Sequence, residues 1–200
     1  MKLLLATHNH NKLLELNLYL LDHPEYEILT LDDAGIYDDV EETGASFSEN
    51  ALIKARWAHQ RSGLISLADD SGLEIKALNN EPGIYSARYL GVDTPYDTKN
   101  QIILDRMKDV KDRTAKFTSV VAIIYDDTIV EVFEGIMPGN ISLKQAGSNG
   151  FGYDPIFVPD GEILTYAEMS SLQKNSLSHR GKAFKKAIKA LSERVKHETL

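Results

Sequence analysis

Apolar and polar positions alternate along this chain with a period that changes from segment to segment. Lys2 to Ala6 is short and almost wholly apolar, the pattern of a strand buried on both faces. A polar stretch, Thr7 to Lys12, follows it. The next segment, Asn11 to Leu21, carries Leu13, Leu14, Leu16, Leu18, Leu20 and Leu21. That density exceeds a one-sided surface helix and predicts a buried one. The chain therefore opens as strand, polar loop and helix, an order that aims free backbone N–H groups and the positive helix end at one spot.

Ser46-Phe47-Ser48-Glu49 has capping-box spacing and predicts a helix over Phe47 to Arg61, stopped by Ser62-Gly63. Phe47, Ala51, Ala55 and Ala58 form its apolar stripe. Leu64 to Ala68 and Leu73 to Leu78 read as two strands joined by a tight turn, Asp69-Asp70-Ser71-Gly72. Thr94-Pro95 predicts the cap and start of a helix through Met107. Ala115 to Tyr125 and Ile129 to Ile136 read as strands joined at Asp126-Asp127. A glycine-rich loop, Gly147 to Gly152, precedes a short strand near Ile156. The last helix is expected over Ser178 to Lys196, with Phe184, Ala187, Ile188, Leu191 and Val195 on one face. This alternation of helices and strands predicts an α/β fold with a mixed central sheet. No repeat, low-complexity tract or linker divides residues 1–200, so a single domain is expected.

Composition narrows the possibilities. Of 200 residues, 42% are hydrophobic and 26% charged, an ordinary globular balance. The net charge of −8 disfavours non-specific binding to nucleic acid or anionic membranes, so neither is expected as a partner. There are no cysteines, which excludes disulfides, Cys-based metal centres and a Cys nucleophile. Polar residues end the apolar start too early for a signal peptide. The longest aliphatic run, Val120 to Ile124, is far below the roughly 18 residues a membrane span needs. A cytoplasmic address is expected.

The charge is unevenly placed. Asp22 to Glu49 holds acidic residues and no Lys or Arg, whereas Lys174 to Lys196 is strongly basic. Each run is either a solvated face or a source of ligands, acids for a metal and bases for an anion.

Four segments are candidates for chemistry. Thr7-His8-Asn9-His10-Asn11-Lys12 is a phosphate cradle or a polar loop with a capping Asn. Asp69-Asp70 ends an apolar strand, so the pair is either a Mg2+ site, a metal ligand beside a general base, or turn chemistry, with Glu41-Glu42 as a further carboxylate source. Gly147 to Pro155 lets backbone approach a ligand closely, and Phe151 or Tyr153 can stack on a flat ring. Lys174 to Lys182 places cations and His179 about a helix start, where the dipole opposes them, which points to an anionic ligand. Together the segments supply the inventory for Mg2+-dependent chemistry on a nucleoside triphosphate.

These motifs resemble the non-canonical purine nucleoside triphosphate pyrophosphatases. The resemblance rests on Ala6-Thr7-x-Asn9-x-x-Lys12-x-x-Glu15, Glu42-Thr43-Gly44, Phe47-x-Glu49-Asn50-Ala51-x-x-Lys54-Ala55 and Ala68-Asp69-Asp70-Ser71-Gly72-Leu73. It continues through Pro82 to Tyr89, Gly150 to Phe157, Ala167-Glu168-Met169, Lys174 and Ser178-His179-Arg180-Gly181-Lys182-Ala183. It implies hydrolysis of ITP, dITP and XTP to monophosphate and pyrophosphate with Mg2+, in a homodimer whose subunits have two lobes and a cleft between them.

By position, the resemblance assigns Thr7, His8, Asn9, Lys12 and Lys54 to the triphosphate and Glu42, Asp69 and Asp70 to the metal, with Asp70 as proton acceptor. It assigns Ser71 to the substrate and Phe151, Gly152, Tyr153 and Asp154 to base and sugar. Lys174, His179 and Arg180 are assigned to the purine edge. A cationic donor there would pair with a 6-keto group and oppose adenine's amino group, a mismatch of about 1–3 kcal/mol. One position departs from the pattern: His8 stands where the family usually has Gly. If that site required positive φ, His would be strained there. A pyrophosphatase of modified pyrimidine nucleotides and a non-catalytic nucleotide-binding regulator are the alternative readings.

Overall fold

The computed structural model describes residues 1–20 and 23–198. Leu21, and the side chain of Val195 from the last helix's expected apolar face, lie outside the described residues. The elements are β1 (Lys2–Leu5), α1 (His10–Leu20), β2 (Glu27–Thr30), α2 (Phe47–Ser62), β3 (Ile65–Ile75), β4 (Glu81–Pro82), α3 (Tyr96–Arg106), β5 (Thr114–Ile124), β6 (Val130–Ile141), β7 (Phe157–Pro159), α4 (Ser171–Leu177) and α5 (His179–Glu198). The fold is α/β with a mixed sheet, as the alternation predicts. Strand order is β2-β1-β3-β5-β6-β7, with β4 on β3. β1 pairs in parallel with β2 and β3, whereas β4 and β7 join in antiparallel fashion.

The chain divides into two compact units. The first comprises Met1–Asp70, Ser119–Gly135 and the chain from Arg180; the second comprises Ser71–Thr118 and Ile136–His179. In the first, the strands bury both faces. Leu3, Leu5, Leu67, Val121 and Ile123 pack with Leu16 of α1 and with Phe184, Ala187, Ile188 and Leu191 of α5. Leu4, Ala6, Ala68, Val120, Ala122 and Ile124 pack with Ala51, Ala55, Trp57 and Ala58 of α2. Alternate residues of one strand thus serve opposite layers, which is why β1 reads as continuously apolar. The second unit has one core, rich in aromatic side chains: Phe117, Tyr153, Phe157 and Tyr166 join Ile103, Leu104 and Met107.

α2 ends as its sequence predicts. Ser46 accepts a hydrogen bond from Glu49 N, and Gly63 closes the helix in the left-handed conformation at φ 67°. The reciprocal half of the capping box is displaced by one residue, because Glu49 Oε2 accepts from Ala45 N at 2.7 Å.

Two expectations are corrected. α1 is not a buried helix: Leu16 alone is buried and Leu14 is 52% exposed. Leu13, Leu16 and Leu20 form a single inward stripe, so Leu14 and Leu18 are surplus to the core. Asp69-Asp70-Ser71-Gly72 is not a turn but the middle of β3, an unbroken 11-residue strand. The last helix, α5, runs over His179–Glu198 as expected, and a further short helix, α4, precedes it where none was expected. Ser178, extended at φ −66° and ψ 156°, separates α4 from α5.

Candidate active site

In the first unit, β1 runs into a short loop ahead of α1. Thr7 Oγ1 accepts from Asn9 N at 3.1 Å. Asn9 Oδ1 accepts from the backbone N–H groups of Asn11 at 3.0 Å and Lys12 at 3.3 Å. The capping role read for an Asn in this loop is therefore present, at Asn9. His8 does not have a positive φ, so its replacement of Gly causes no strain. Its ring turns to the acidic segment, with Nε2 3.2 Å from Asp38 O and Nδ1 3.6 Å from an Asp32 carboxylate oxygen.

Lys12, in the first turn of α1, reaches β3. Its Nζ lies 2.9 Å from Asp69 Oδ1 and 3.3 Å from Asp69 O. On the other side of this carboxylate, Arg180 Nε is 3.2 Å from Asp69 Oδ2, and the same guanidinium pairs with Glu15 of α1. Burial alone would raise the Asp69 pKa, but the charges of Lys12, Arg180 and Lys54 hold it well below the usual aspartate range. Burial lowers the Lys12 pKa despite Asp69.

Asp70, the next residue, has the opposite environment. Burial and then Glu42 raise its pKa, against the pull of Lys54. Lys54 Nζ lies 3.2 Å from Asp70 Oδ1 and 2.6 Å from Glu42 Oε1. One ammonium thus gathers two of the three acids assigned to the metal. Burial works against the Lys54 charge, yet Asp70, Asp69 and Glu42 together raise its pKa. Adjacent carboxylates of contrasting acidity suit one fixed anion and one proton acceptor.

The second unit holds a different cluster. Lys174, in α4, sets Nζ 2.7 Å from Asp154 Oδ2, and both side chains are almost fully buried. The ammonium lies 4.7 Å from the Phe151 ring centroid and 5.7 Å from that of Tyr166. Asp154 Oδ2 also accepts from Phe151 N at 2.8 Å, closing the glycine loop on itself. Gly150, at φ 72°, has no room for a side chain, since a Cβ there would overlap that carboxylate. Ser148 N and Asn149 N both donate to Ala167 O, which fixes the loop against the Ala167-Glu168-Met169 segment. Asn100 Nδ2 donates to Gly152 O at 3.1 Å.

Of the two rings proposed to stack on a base, Tyr153 is committed to the interior. It is buried, donates from its hydroxyl to Ser86 O at 2.8 Å, and meets Tyr96 edge-on at 5.2 Å. Phe151 is half-buried. His179 is buried with its ring stacked on Phe117 at 4.5 Å and 9°.

Of the predicted site residues, Lys12, Glu42, Lys54, Asp69 and Asp70 come together in the first unit, and Phe151, Gly152, Asp154 and Lys174 in the second. Arg180 stands with Asp69 rather than in the aromatic cluster. Ser71 follows Asp70 on β3. His8 is turned toward Asp32 and Asp38. The sequence reading assigned no role to Glu15 and Asn50, although both are motif residues. Their signal was helical spacing: Glu15 is three residues beyond Lys12, and Asn50 is four before Lys54.

Among the described residues, no three His, Asp or Glu side chains already form a metal-ligand group. The donor set nevertheless suits a hard cation, since Glu42 and Asp70 present carboxylate oxygens to one positive charge.

The fold and these clusters define an α/β protein with a charged carboxylate–lysine centre and an aromatic, glycine-lined centre. The chain belongs to the Ham1 family, whose profile matches residues 3–190. It is 41% identical over 193 residues to a dITP/XTP pyrophosphatase of Christiangramia forsetii, covering 96% of this chain and all of that protein. It is 43% identical over 196 residues to one of Elusimicrobium minutum, with the same coverage. A HAM1 protein structure from Coxiella burnetii matches with a TM-score of 0.89 at 39% identity, over 96% of this chain and 99% of that one.

Proposed function

We propose that this protein hydrolyses non-canonical purine nucleoside triphosphates, ITP, dITP and XTP, to the monophosphate and pyrophosphate, clearing deaminated purines from the nucleotide pool. The observation that carries the reading is the contrast between Asp69 and Asp70. Asp69 is held as an anion by Lys12 and Arg180, whereas Asp70 is poised to take a proton. Full-length similarity to proteins named dITP/XTP pyrophosphatase supports the substrate class.

In this reading Thr7, Asn9, Lys12 and Lys54 bind the triphosphate, with the N-terminal end of α1 behind them. Asp70 accepts a proton from the water that adds to the α-phosphorus, as the bond to the pyrophosphate oxygen breaks. Glu42, Asp69 and Asp70 would hold Mg2+, which supplies charge neutralisation for the phosphates. Phe151, with Gly152 and Asp154, receives the base and sugar, while Tyr153 anchors the loop from the interior. Lys174 and His179 select a 6-keto purine over adenine, while Arg180 stays paired with Asp69 and Glu15. A cytoplasmic homodimer is part of the same proposal. Among the described residues no helix is long and apolar enough to cross a membrane. The test is incubation with ITP and Mg2+. IMP and pyrophosphate are expected, and IDP with orthophosphate would replace this reading with a simple phosphohydrolase.

A further inference from the structure

Asn50 is wholly buried, at 0% exposure, yet it belongs to no apolar cluster. A buried amide is costly unless its donor and acceptor ends are both used, and here both are. Gly44 N donates to Asn50 Oδ1 at 2.8 Å, and Asn50 Nδ2 donates to Asp70 Oδ2 at 3.2 Å. The orientation is forced. A backbone N–H can only donate, so the carbonyl end must face Gly44 and the NH2 end must face the carboxylate.

Lys54 lies one helical turn further along α2 and makes the matching pair of contacts. It holds Asp70 Oδ1 at 3.2 Å and Glu42 at 2.6 Å. Residues 50 and 54 therefore grip the two oxygens of Asp70 separately, and each also ties down the segment 42–44. Gly44 is shaped to this contact: a Cβ there would lie 2.7 Å from Asn50 Oδ1 and 2.6 Å from Glu49 Cβ. The carboxylate is thereby fixed in rotation as well as place. A lysine alone would leave it free to turn about its own axis.

We infer that Asn50 is a positioning residue for the reaction: its amide fixes the orientation of the Asp70 carboxylate plane toward the incoming water and sets the Glu42 segment in register with it. This inference rests on the assignment of Asp70 proposed above.

The test compares Asn50→Asp, Gly44→Ala and Asp70→Asn by steady-state kinetics on ITP with Mg2+, with circular dichroism and thermal melts on each protein. Asn50→Asp keeps the acceptor for Gly44 N and replaces the donor to Asp70 by a carboxylate. Its kcat is expected to fall about 10- to 100-fold, the range for losing a hydrogen bond to a charged group, with KM for ITP within about threefold. Gly44→Ala reaches the same bond from its other end and is expected to lower kcat in the same sense. It also carries the test if Asn50→Asp does not fold. Near-normal kcat in the folded variants, with Asp70→Asn inactive, overturns the positioning role and leaves the function standing. Near-normal kcat in Asp70→Asn overturns the assignment on which both rest. A rise in KM at constant kcat would make Asn50 a substrate-binding residue instead.

Discussion

The two units of this protein bury ionised groups in opposite ways. In the first, Lys12, Lys54 and Arg180 face Asp69, Asp70, Glu42 and Glu15, so nearly every charge lies beside one of the other sign. In the second, Lys174 has Asp154 at its tip and rings of Phe151 and Tyr166 along its sides. A network of charges can redistribute when a triphosphate and a cation arrive, because its members exchange one partner for another. A lysine walled by aromatic rings is held in one place and suits shape-selective recognition of a flat ring.

The largest effect that would sharpen this comparison is on turnover. Asp70→Asn is expected to reduce kcat about 10²- to 10⁴-fold without unfolding the protein, as read by pyrophosphate release and circular dichroism. The next effect is on stability. Asp154→Asn removes a carboxylate from a buried ion pair and is expected to cost about 3–5 kcal/mol in chemical denaturation. A loss below 1 kcal/mol would show that the aromatic rings, not the carboxylate, hold Lys174.

Asp69 gives a pH signature. Its folded pKa lies below the ordinary value of 3.8, so its stabilising contribution is complete above that value and is lost as pH falls below it. Thermal melts should show the parent losing more stability than Asp69→Asn as pH drops below about 4. Phe151→Ala should raise KM for ITP by up to about tenfold with less effect on kcat, the scale of one aromatic stack. The smallest effect is at His8. Its contacts to Asp32 and Asp38 are exposed, so His8→Gly should change stability by no more than about 1 kcal/mol, measured by denaturant titration.

Where the sequence was readable, local chemistry and tertiary structure agree. Ser46 and Gly63 bound α2 by cap geometry, and the unbroken apolar run of β1 emerges as two buried faces of one sheet. Where it was not, distant partners override local preference. Asp69-Asp70-Ser71-Gly72 has turn composition, yet Asp69 is satisfied by Lys12, 57 residues away, and Arg180, 111 residues away, and Asp70 by Asn50 and Lys54 of α2. With those side chains paired, the backbone is left to the sheet. The leucine count of α1 overstated its burial because density alone does not reveal how many faces find a partner. The start of the last helix at Ser178 was legible, but α4 was not, because seven residues are too few for an apolar period to show.

Within the candidate site, the residue types were legible and their groupings were not. Lys174, His179 and Arg180 read as one cationic segment, but Arg180 joins Glu15 and Asp69 while Lys174 joins Asp154. Side chains on neighbouring residues point in different directions at the start of α5, and only the fold decides which neighbours they meet.

The central claim is that this protein hydrolyses non-canonical purine nucleoside triphosphates and spares the canonical ones. A panel of kcat/KM values over ITP, XTP, GTP and ATP with Mg2+ and product identification tests it most directly. The account predicts monophosphate and pyrophosphate from each accepted substrate, with ITP and XTP favoured over ATP by at least about tenfold. Equal rates on ITP and ATP, or release of orthophosphate, would contradict it.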